Sequence, residues 1–406
     1  MVTLAQILYG LLTLTLLPFF GFLALITLAA LWPRRRGEGA ASGAPRRFVV
    51  VIPAHNEASS IEKTVVACRA VDYDPAQFRV VVIADNCTDD TALLARASGA
   101  EVVERHDPDR RSKGHAIEYL LEHWKASGEL DAFDAVVLVD ADTLVDPRLL
   151  HAFAAALDDG ADFAQGYYSV SNPDASWRTR MLTYALSLFN GVMLQGEDRL
   201  GIGSGLRGNG MCFSTRGLAR VPWRAYGLVE DQEYSWVLRT HGEHIRFLPD
   251  AQVRGEMVSR GKSAVSQRRR WEEGRNQLRS RFFWPILRAS KLSLWRRLLG
   301  VVDLLFPPQM RLQGGLLLAL SVHPLAWVFP ELNGVSRTLL APHGFFLATL
   351  GVYALTPLIS LKLPPSYLLS LIALPYYAFW KILALRRTGD GSWVRTPREI
   401  STRSSS

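Results

Sequence analysis

Val136-Val137-Leu138-Val139-Asp140-Ala141-Asp142 is a short apolar run, rich in β-branched residues, that ends in two carboxylates one residue apart. Its composition predicts a buried strand. Side chains at i and i+2 of a strand point to the same side, so Asp140 and Asp142 are expected to leave the sheet together at its carboxyl end. Two hard oxygen ligands converging there suit a divalent cation such as Mg²⁺, which keeps waters and takes further ligands from a substrate diphosphate. The competing reading is an Asp-rich turn after a buried strand, and the flanking sequence decides between them.

Upstream, short apolar runs alternate with helical segments. Phe48 to Ile52 reads as a strand running into Pro53-Ala54-His55-Asn56-Glu57, ahead of a helix from about Ser59 to Ala70. Val80 to Ala84 is a second strand, running into Asp85-Asn86-Cys87-Thr88-Asp89-Asp90-Thr91 and a helix to Ser98, with Gly99 as its stop. Glu101 to Glu104 is a third, followed by a polar loop, Lys113-Gly114, and a helix to about Lys125. Strands separated by helices of this length predict right-handed crossovers and an α/β fold with a doubly wound, mainly parallel sheet. Ligands of such sheets sit beyond the carboxyl ends of the strands, which is where Asn56-Glu57, Asp85 and Asp140-Asp142 fall.

Downstream, Ala161 to Ser169 reads as another strand and Ser176 to Leu194 as a long helix. Gly201 to Gly210 (GIGSGLRGNG) holds five glycines in ten positions. That spacing is neither GxGxxG nor Walker A; it fits close backbone approach to a ligand, a mobile lid or a plain flexible loop. Glu230-Asp231 opens a helix, Gln232 to Thr240, that ends at Gly242. Acidic capping explains the pair without chemistry, whereas a transfer site needs an unpaired carboxylate to take a proton from an attacking hydroxyl. Gln267-Arg268-Arg269-Arg270-Trp271 lies in a polar helix from Ser263 to about Arg281. Gln267, Arg270 and Trp271 share one face at i, i+3 and i+4, offering an amide, a guanidinium for diphosphate oxygens and a ring to stack on a sugar. A basic helix on lipid headgroups has the same composition.

The apolar excess, 49% hydrophobic residues at a mean hydropathy of +0.08, is concentrated at the two ends of the 406-residue chain. Residues 1–33 carry no charged side chain, and Leu4 to Trp32 reads as one spanning helix. Arg34, Arg35 and Arg36 follow it, which predicts a cytoplasmic linker over 34–47 and an outside N-terminus. Leu312 to Phe329, Gly344 to Leu361 and Tyr367 to Leu385 are each near spanning length. Three crossings conflict with the cationic tail, residues 386–406, whose Arg386, Arg387, Arg395 and Arg398 favour the inside. The net charge of +8 clusters beside these apolar segments, which points to an anionic membrane face and not to nucleic acid. Three scattered cysteines, Cys68, Cys87 and Cys212, form no CxxC pair and suggest neither a disulfide framework nor a zinc site.

Four signals in order, PAHNE with ADNCTDDT, the DAD at Asp140 to Asp142, the ED at Glu230-Asp231, and QRRRW as a QxxRW motif, resemble the membrane-embedded, inverting family 2 glycosyltransferases. These include cellulose, hyaluronan and poly-N-acetylglucosamine synthases and the ceramide glucosyltransferases. The resemblance covers about Phe48 to Gly274 plus the flanking helices. It implies a cytosolic GT-A-like catalytic domain over 48–260, interfacial helices over 261–311 and about three membrane helices over 312–385, in the inner (plasma) membrane. It also implies roles. Pro53, Ala54, Glu57 and Asp85 would line the nucleotide, and Lys113 would face its base or diphosphate. Asp140 would lie near the sugar and diphosphate, and Asp142, with Asp140, would hold Mg²⁺ or Mn²⁺. Asp231, next to Glu230, would be the general base, while Gln267, Arg270 and Trp271 would close over the diphosphate and acceptor.

The function so implied is transfer of a sugar from a nucleotide sugar, with UDP as the expected carrier, to a growing polysaccharide or lipid-linked saccharide of the cell envelope. Single transfer to a membrane lipid, as in ceramide glucosyltransferases, is the rival activity, and a non-catalytic membrane scaffold the rival class. Asn86-Cys87 departs from the Gly-Ser of many relatives, and the segment before QRRRW lacks a commonly found proline.

Overall fold

In the computed structural model the backbone is described for residues 2–33, 45–257 and 263–373, and the side chains for these except 2–3 and 263–271. An apolar helix, α1 (Val2–Leu31), precedes the sheet domain. There follow β1 (Phe48–Ala54), α2 (Ile61–Arg69), β2 (Phe78–Asp85), α3 (Thr91–Ala97), β3 (Glu101–Arg105), α4 (Lys113–Ser127) and β4 (Ala135–Leu138). The second half comprises β5 (Thr143–Val145), α5 (Leu149–Asp158), β6 (Phe163–Val170), α6 (Trp177–Leu186), α7 (Met193–Arg199), β7 (Met211–Ser214), α8 (Thr215–Arg220), α9 (Glu230–Thr240) and β8 (Ile245–Gly255). The C-terminal part holds α10 (Ser263–Arg288), α11 (Leu294–Leu305), α12 (Gln309–Leu320), α13 (Val322–Val328) and α14 (Asn333–Ser360).

The strands form one sheet in the order β3-β2-β1-β4-β7-β6-β8-β5. Its first half is parallel as the sequence predicts, with Phe48 opposite both Phe78 and Ala135. Alternate β1 residues feed two cores: Phe48, Val50 and Ile52 pack with α2 and α5, and Val49 and Val51 with α4 and α9. Both faces are thereby covered, which is why the strands read as continuous apolar runs.

The second half departs from a mainly parallel sheet. β7 runs antiparallel to both β4 and β6, and β5 antiparallel to β8, so the sheet is mixed. β7 is only four residues long and follows the glycine-rich segment without a helical crossover, which removes the geometric requirement for parallel entry. β8 carries Pro249 in its interior; a proline cannot donate to the ladder, and the register with β6 slips there, from Gly166↔Leu248 to Tyr167↔Gln252.

A second correction concerns the opening motif. β4 stops at Leu138, so Asp140 and Asp142 lie in the turn that leads to β5 and not on the strand. Strand alternation therefore does not set their direction. The antiparallel partner enters here: Gly210 N–H donates to the Leu138 carbonyl (3.0 Å), and Asp140 N–H donates to the Asn209 side-chain oxygen (3.1 Å).

α1 and the C-terminal helices pack together through Phe20, Ile26, Leu316, Phe346 and neighbours, with Phe20 and Phe346 stacked at 4.4 Å. Arg199 at the end of α7 donates to the carbonyls of Ala29, Ala30 and Trp32, a cationic cap on the C-terminus of α1. Among the described residues two helices are long and apolar enough to cross a membrane, Leu4–Leu31 and Pro330–Ser360. The expected span from Leu312 to Phe329 is instead divided at Ser321 into α12 and α13, of 12 and 7 residues. Pro324, in the first turn of α13, has no N–H for the preceding turn. The helix expected from Gly344 begins at Asn333. Most of the segment from Tyr367 to Leu385, the linker's arginines Arg34 to Arg36 and the cationic tail lie outside the described residues.

A paired substitution tests the packing at the strand junction. Gly210 and Gly128 both have positive φ, +66° and +76°, but a Cβ on Gly210 would meet Val253 at 2.6 Å whereas one on Gly128 meets nothing within 4 Å. Both alanine variants are expected to lose about 1 kcal/mol from the left-handed backbone, and Gly210→Ala at least twice that. Thermal denaturation of the two variants checks this; equal losses would contradict the close approach of β8.

Candidate active site

The site begins at the N-terminus of α4. Ser112 caps the helix by accepting from His115 N–H, and Lys113 is its first residue. An ammonium there opposes the helix dipole, so something must favour it. The Lys113 Nζ donates to Asp140 Oδ1 (2.5 Å) and to the Gly208 carbonyl (2.5 Å), and lies 3.9 Å from Glu230 Oε1. Burial works against this charge, but Asp140, Glu230 and Asp231 outweigh it and hold the ammonium above the ordinary lysine value. One side chain thus joins α4, the turn after β4, the glycine-rich segment and the start of α9.

α4 can approach because Gly114 carries no side chain. A Cβ there would lie 1.9 Å from the Ala225 carbonyl, and Trp223 Nε1–H donates to the Gly114 carbonyl (3.1 Å). The segment before α9 is held by Glu233, whose carboxylate accepts from Tyr226 N–H and Gly227 N–H. Glu233 thus fixes the approach to α9, whose N-cap, Val229, receives no side-chain cap. Asp231 faces Gly208: a Cβ on that glycine would lie 3.4 Å from Asp231 Oδ2. Burial pushes the Asp231 carboxyl above the usual aspartate value, against the opposing pull of the Gln232 backbone, Lys113 and Arg207. A carboxylate raised in this way is a stronger base.

The glycine-rich segment is bonded to its neighbours along its length. Its backbone is pinned residue by residue: Ser204 N–H to the Ile245 carbonyl, Gly205 N–H to Glu197, Leu206 N–H to Ser235, and Arg207 N–H to Gln165. Gln165, fully buried on β6, also donates to the Asn209 carbonyl (2.8 Å). Asn209 in turn donates to Thr143 Oγ1 (2.7 Å) while accepting from Asp140 N–H. Gln165, Arg207, Gly208 and Asn209 were not singled out from sequence as site residues; the RGNG within the glycine run was the one available signal.

The residues expected to line the nucleotide lie on the neighbouring strand ends. Pro53 and Ala54 close β1 opposite Ile83 and Ala84, and Glu57 follows, its N–H donating to Thr91 Oγ1 (2.7 Å). Asp85 ends β2 in register with Arg105, and the two form a buried ion pair (2.5 Å) to which Asn86 adds a 3.0 Å hydrogen bond. Parallel pairing of β2, β1 and β4 puts these residues on the carboxyl rim that also carries Asp140. Asp142 is half-buried in the same turn. Gln267, Arg270 and Trp271 fall in the first turns of α10, and their side chains lie outside the described residues.

Asp140 and Asp142 supply two carboxylates, and among the described residues no third His, Cys, Asp or Glu joins them in a cluster. Such a pair fits an oxygen-seeking ion that takes its remaining ligands from diphosphate and water, and it does not resemble a closed structural site.

Sheet order and rim together define a mixed α/β protein of GT-A-like architecture. The family described as glycosyltransferase like family 2 matches residues 45–274, more than half of the chain. The chain belongs to that family. An uncharacterised glycosyltransferase of Mycobacterium tuberculosis is 36% identical over 118 residues, 29% of this chain and 46% of its own length. Glucosyl-3-phosphoglycerate synthase of the same organism is 34% identical over 119 residues, 28% of this chain and 34% of its own. The chain spans less than half the length of these curated relatives. A mannosyltransferase from Pyrobaculum calidifontis, solved in complex with GDP-Man and Mn²⁺, superposes with a TM-score of 0.53 at 18% identity, over 92% of this chain and 99% of that one.

Asn209 gives the site a direct test. It is fully buried, and Asn209→Ala leaves Asp140 N–H and Thr143 Oγ1 without their partner. A stability loss of about 1–3 kcal/mol is expected, with weaker nucleotide binding as the Asp140 turn loosens. Denaturation and nucleotide titration of the variant check both, and unchanged values would refute the orienting role.

Proposed function

We propose that the protein is an inverting glycosyltransferase that moves a sugar from a nucleotide sugar, with UDP as the expected carrier, to a lipid-linked or saccharide acceptor at a membrane face. The observation that carries this reading is the Lys113 bridge, which sets a cation between Asp140 and Glu230 with Asp231 alongside. A transfer site needs these elements together: positive charge for a diphosphate and a separate carboxylate for the acceptor hydroxyl.

Asp231 takes the proton of the attacking hydroxyl, and its raised pKa suits that task. A single displacement at the anomeric carbon inverts it, so an α-linked donor yields a β-glycoside. Lys113 orients the donor against Asp140 and shares in neutralising the departing diphosphate. Pro53, Ala54, Glu57 and Asp85 form the nucleotide side of the rim; the Arg105 pair holds the Asp85 carboxylate in place. Asp142, with Asp140, would hold Mg²⁺ or Mn²⁺, which when bound supplies further charge for the leaving group. Arg270, Gln267 and Trp271 remain assigned to the diphosphate and acceptor side by the QxxRW motif.

The membrane setting is supported by the length and apolar composition of α1 and α14. The two helices pack on each other through Phe20 and Phe346. A catalytic domain on the cytoplasmic face agrees with Arg34 to Arg36, which follow α1 in the sequence.

Two measurements test the reaction. Asp231→Asn is expected to lower turnover by about 10²–10⁴-fold, the range for a lost general base, with nucleotide affinity near that of the parent. Equal losses in both would remove Asp231 from the chemistry. The pH profile supplies the second test. The base must be ionised, so kcat/KM should fall as pH drops through the Asp231 pKa, which burial holds above the ordinary aspartate value. Lys113→Met removes a cation that favours the ionised form, so the acid limb should move to higher pH; a limb that stays in place would assign the titration to another group.

A further inference from the structure

α10 carries the QxxRW motif in its first turns, and its contact with α9 is made further along. Gly274 lies against Val229, the residue before Glu230, where a Cβ on the glycine would stand 2.6 Å from the valine side chain. Leu278 and Phe282 continue that face of the helix at i+4 and i+8. They pack with Val229 and Trp236, the Phe282 and Trp236 rings lying 6.5 Å apart. Such an apolar seam is not directional. A helix that slips along it by one residue moves about 1.5 Å and turns by about 100°.

A polar contact at the edge of the seam is directional. Arg281 donates to Glu233 Oε1, and Oε2 of the same carboxylate accepts from Tyr226 N–H (3.1 Å) and Gly227 N–H (2.8 Å). Glu233 is 2% exposed, so its charge depends on these donors. Arg281 reaches it from the surface, which lets the pair be removed without opening the core. Gly227 makes room, since a Cβ there would stand 2.8 Å from Glu233 Oε2. The contacts run on to α4: the Tyr226 ring stacks on His115, at 4.5 Å between centroids and 9° between planes, and its hydroxyl donates to Glu118. Glu233 therefore joins α10, the segment leading into Glu230-Asp231, and the helix that begins with Lys113.

Apolar burial alone would hold α10 on α9, and it calls for no carboxylate taken out of water at a cost. A forked cation on a fixed carboxylate does select one register. We infer that Glu233 and Arg281 are positioning residues: their ion pair fixes the register of α10 on α9 and so places Gln267, Arg270 and Trp271 relative to Asp231. The motif ends one turn before Gly274, so a slip at the seam reaches it undiminished. The inference rests on the proposed roles of Asp231 and of the QxxRW motif.

The test uses the full chain in neutral detergent. Arg281→Met removes the guanidinium and leaves both backbone donors on Glu233. Turnover is read as UDP release from UDP-glucose, UDP-galactose or UDP-N-acetylglucosamine, whichever the parent uses. The variant should lower kcat by about tenfold to 10²-fold, the cost of a misplacement near 1 Å. UMP affinity, read by calorimetry, should stay near that of the parent, because Pro53, Ala54, Glu57 and Asp85 stand on the sheet rim and not on α10. Arg281→Lys, which keeps the charge, should recover most of kcat, and Glu233→Gln combined with Arg281→Met should cost no more than the worse single variant. An unchanged kcat in Arg281→Met, an equal loss of UMP affinity, or losses that multiply in the double variant would overturn the positioning role. Backbone hydrogen exchange reads the coupling without turnover. Arg281→Met should speed exchange over residues 263–274 about tenfold and leave β1 and β4 as in the parent; unchanged exchange overturns the inference whatever the activity. A parent inactive on all three donors overturns the UDP-sugar reading and not this inference, which hydrogen exchange then decides.

Discussion

The ammonium of Lys113 is the point on which the rest of the site depends. It is drawn to the positive end of a helix by carboxylates from two other elements, and it also takes the carbonyl of Gly208. Each of these partners compensates part of a half-buried charge. The arrangement therefore ties the turn that carries Asp140 to the helix that opens with Glu230-Asp231.

The glycine-rich segment makes that close approach attainable. Gly208 and Gly210 both adopt positive φ, and both lie where a side chain would meet a neighbour, the Asp231 carboxylate in one case and Val253 in the other. Hydrogen bonds donated by its backbone N–H groups to Glu197, Gln165 and Ser235 hold the segment in place. Glycine here serves close approach between elements and not motion. The same Glu197 is tied through Arg239 to Asp303 on α11, and α7 packs on α1 through Gly196, where a Cβ would lie 2.3 Å from the Ile26 carbonyl. Catalytic rim and apolar helices are consequently one packed unit.

Much of the first half was legible in the residue order. Strands from Phe48, Val80 and Glu101, and helices ending near Arg69, Ser98 and Lys125, follow from apolar runs punctuated by Asn, Asp and Gly, because local contacts dominate a βα repeat. The second half was less so. β7 and β8 pair with strands far off in sequence, β8 is interrupted by Pro249, and antiparallel entry depends on partners rather than on local pattern. The apolar stretch from Leu312 to Phe329 had the composition of a span, but Pro324 and the break at Ser321 give two short helices instead.

By itself the sequence determined which residues could carry chemistry: the acids at Asp140, Asp142, Glu230 and Asp231, the lysine before Gly114, and the apolar ends that seek lipid. Side-chain chemistry and hydropathy are properties of residues and need no partner. Only the tertiary structure decided that Asp140 and Asp142 sit in a turn, that Lys113 reaches across to Asp140 and Gly208, and that Glu233 supports the segment before α9. Several of those relations join residues far apart in the chain, and only the packing of the sheet against its helices brings them within hydrogen-bonding range.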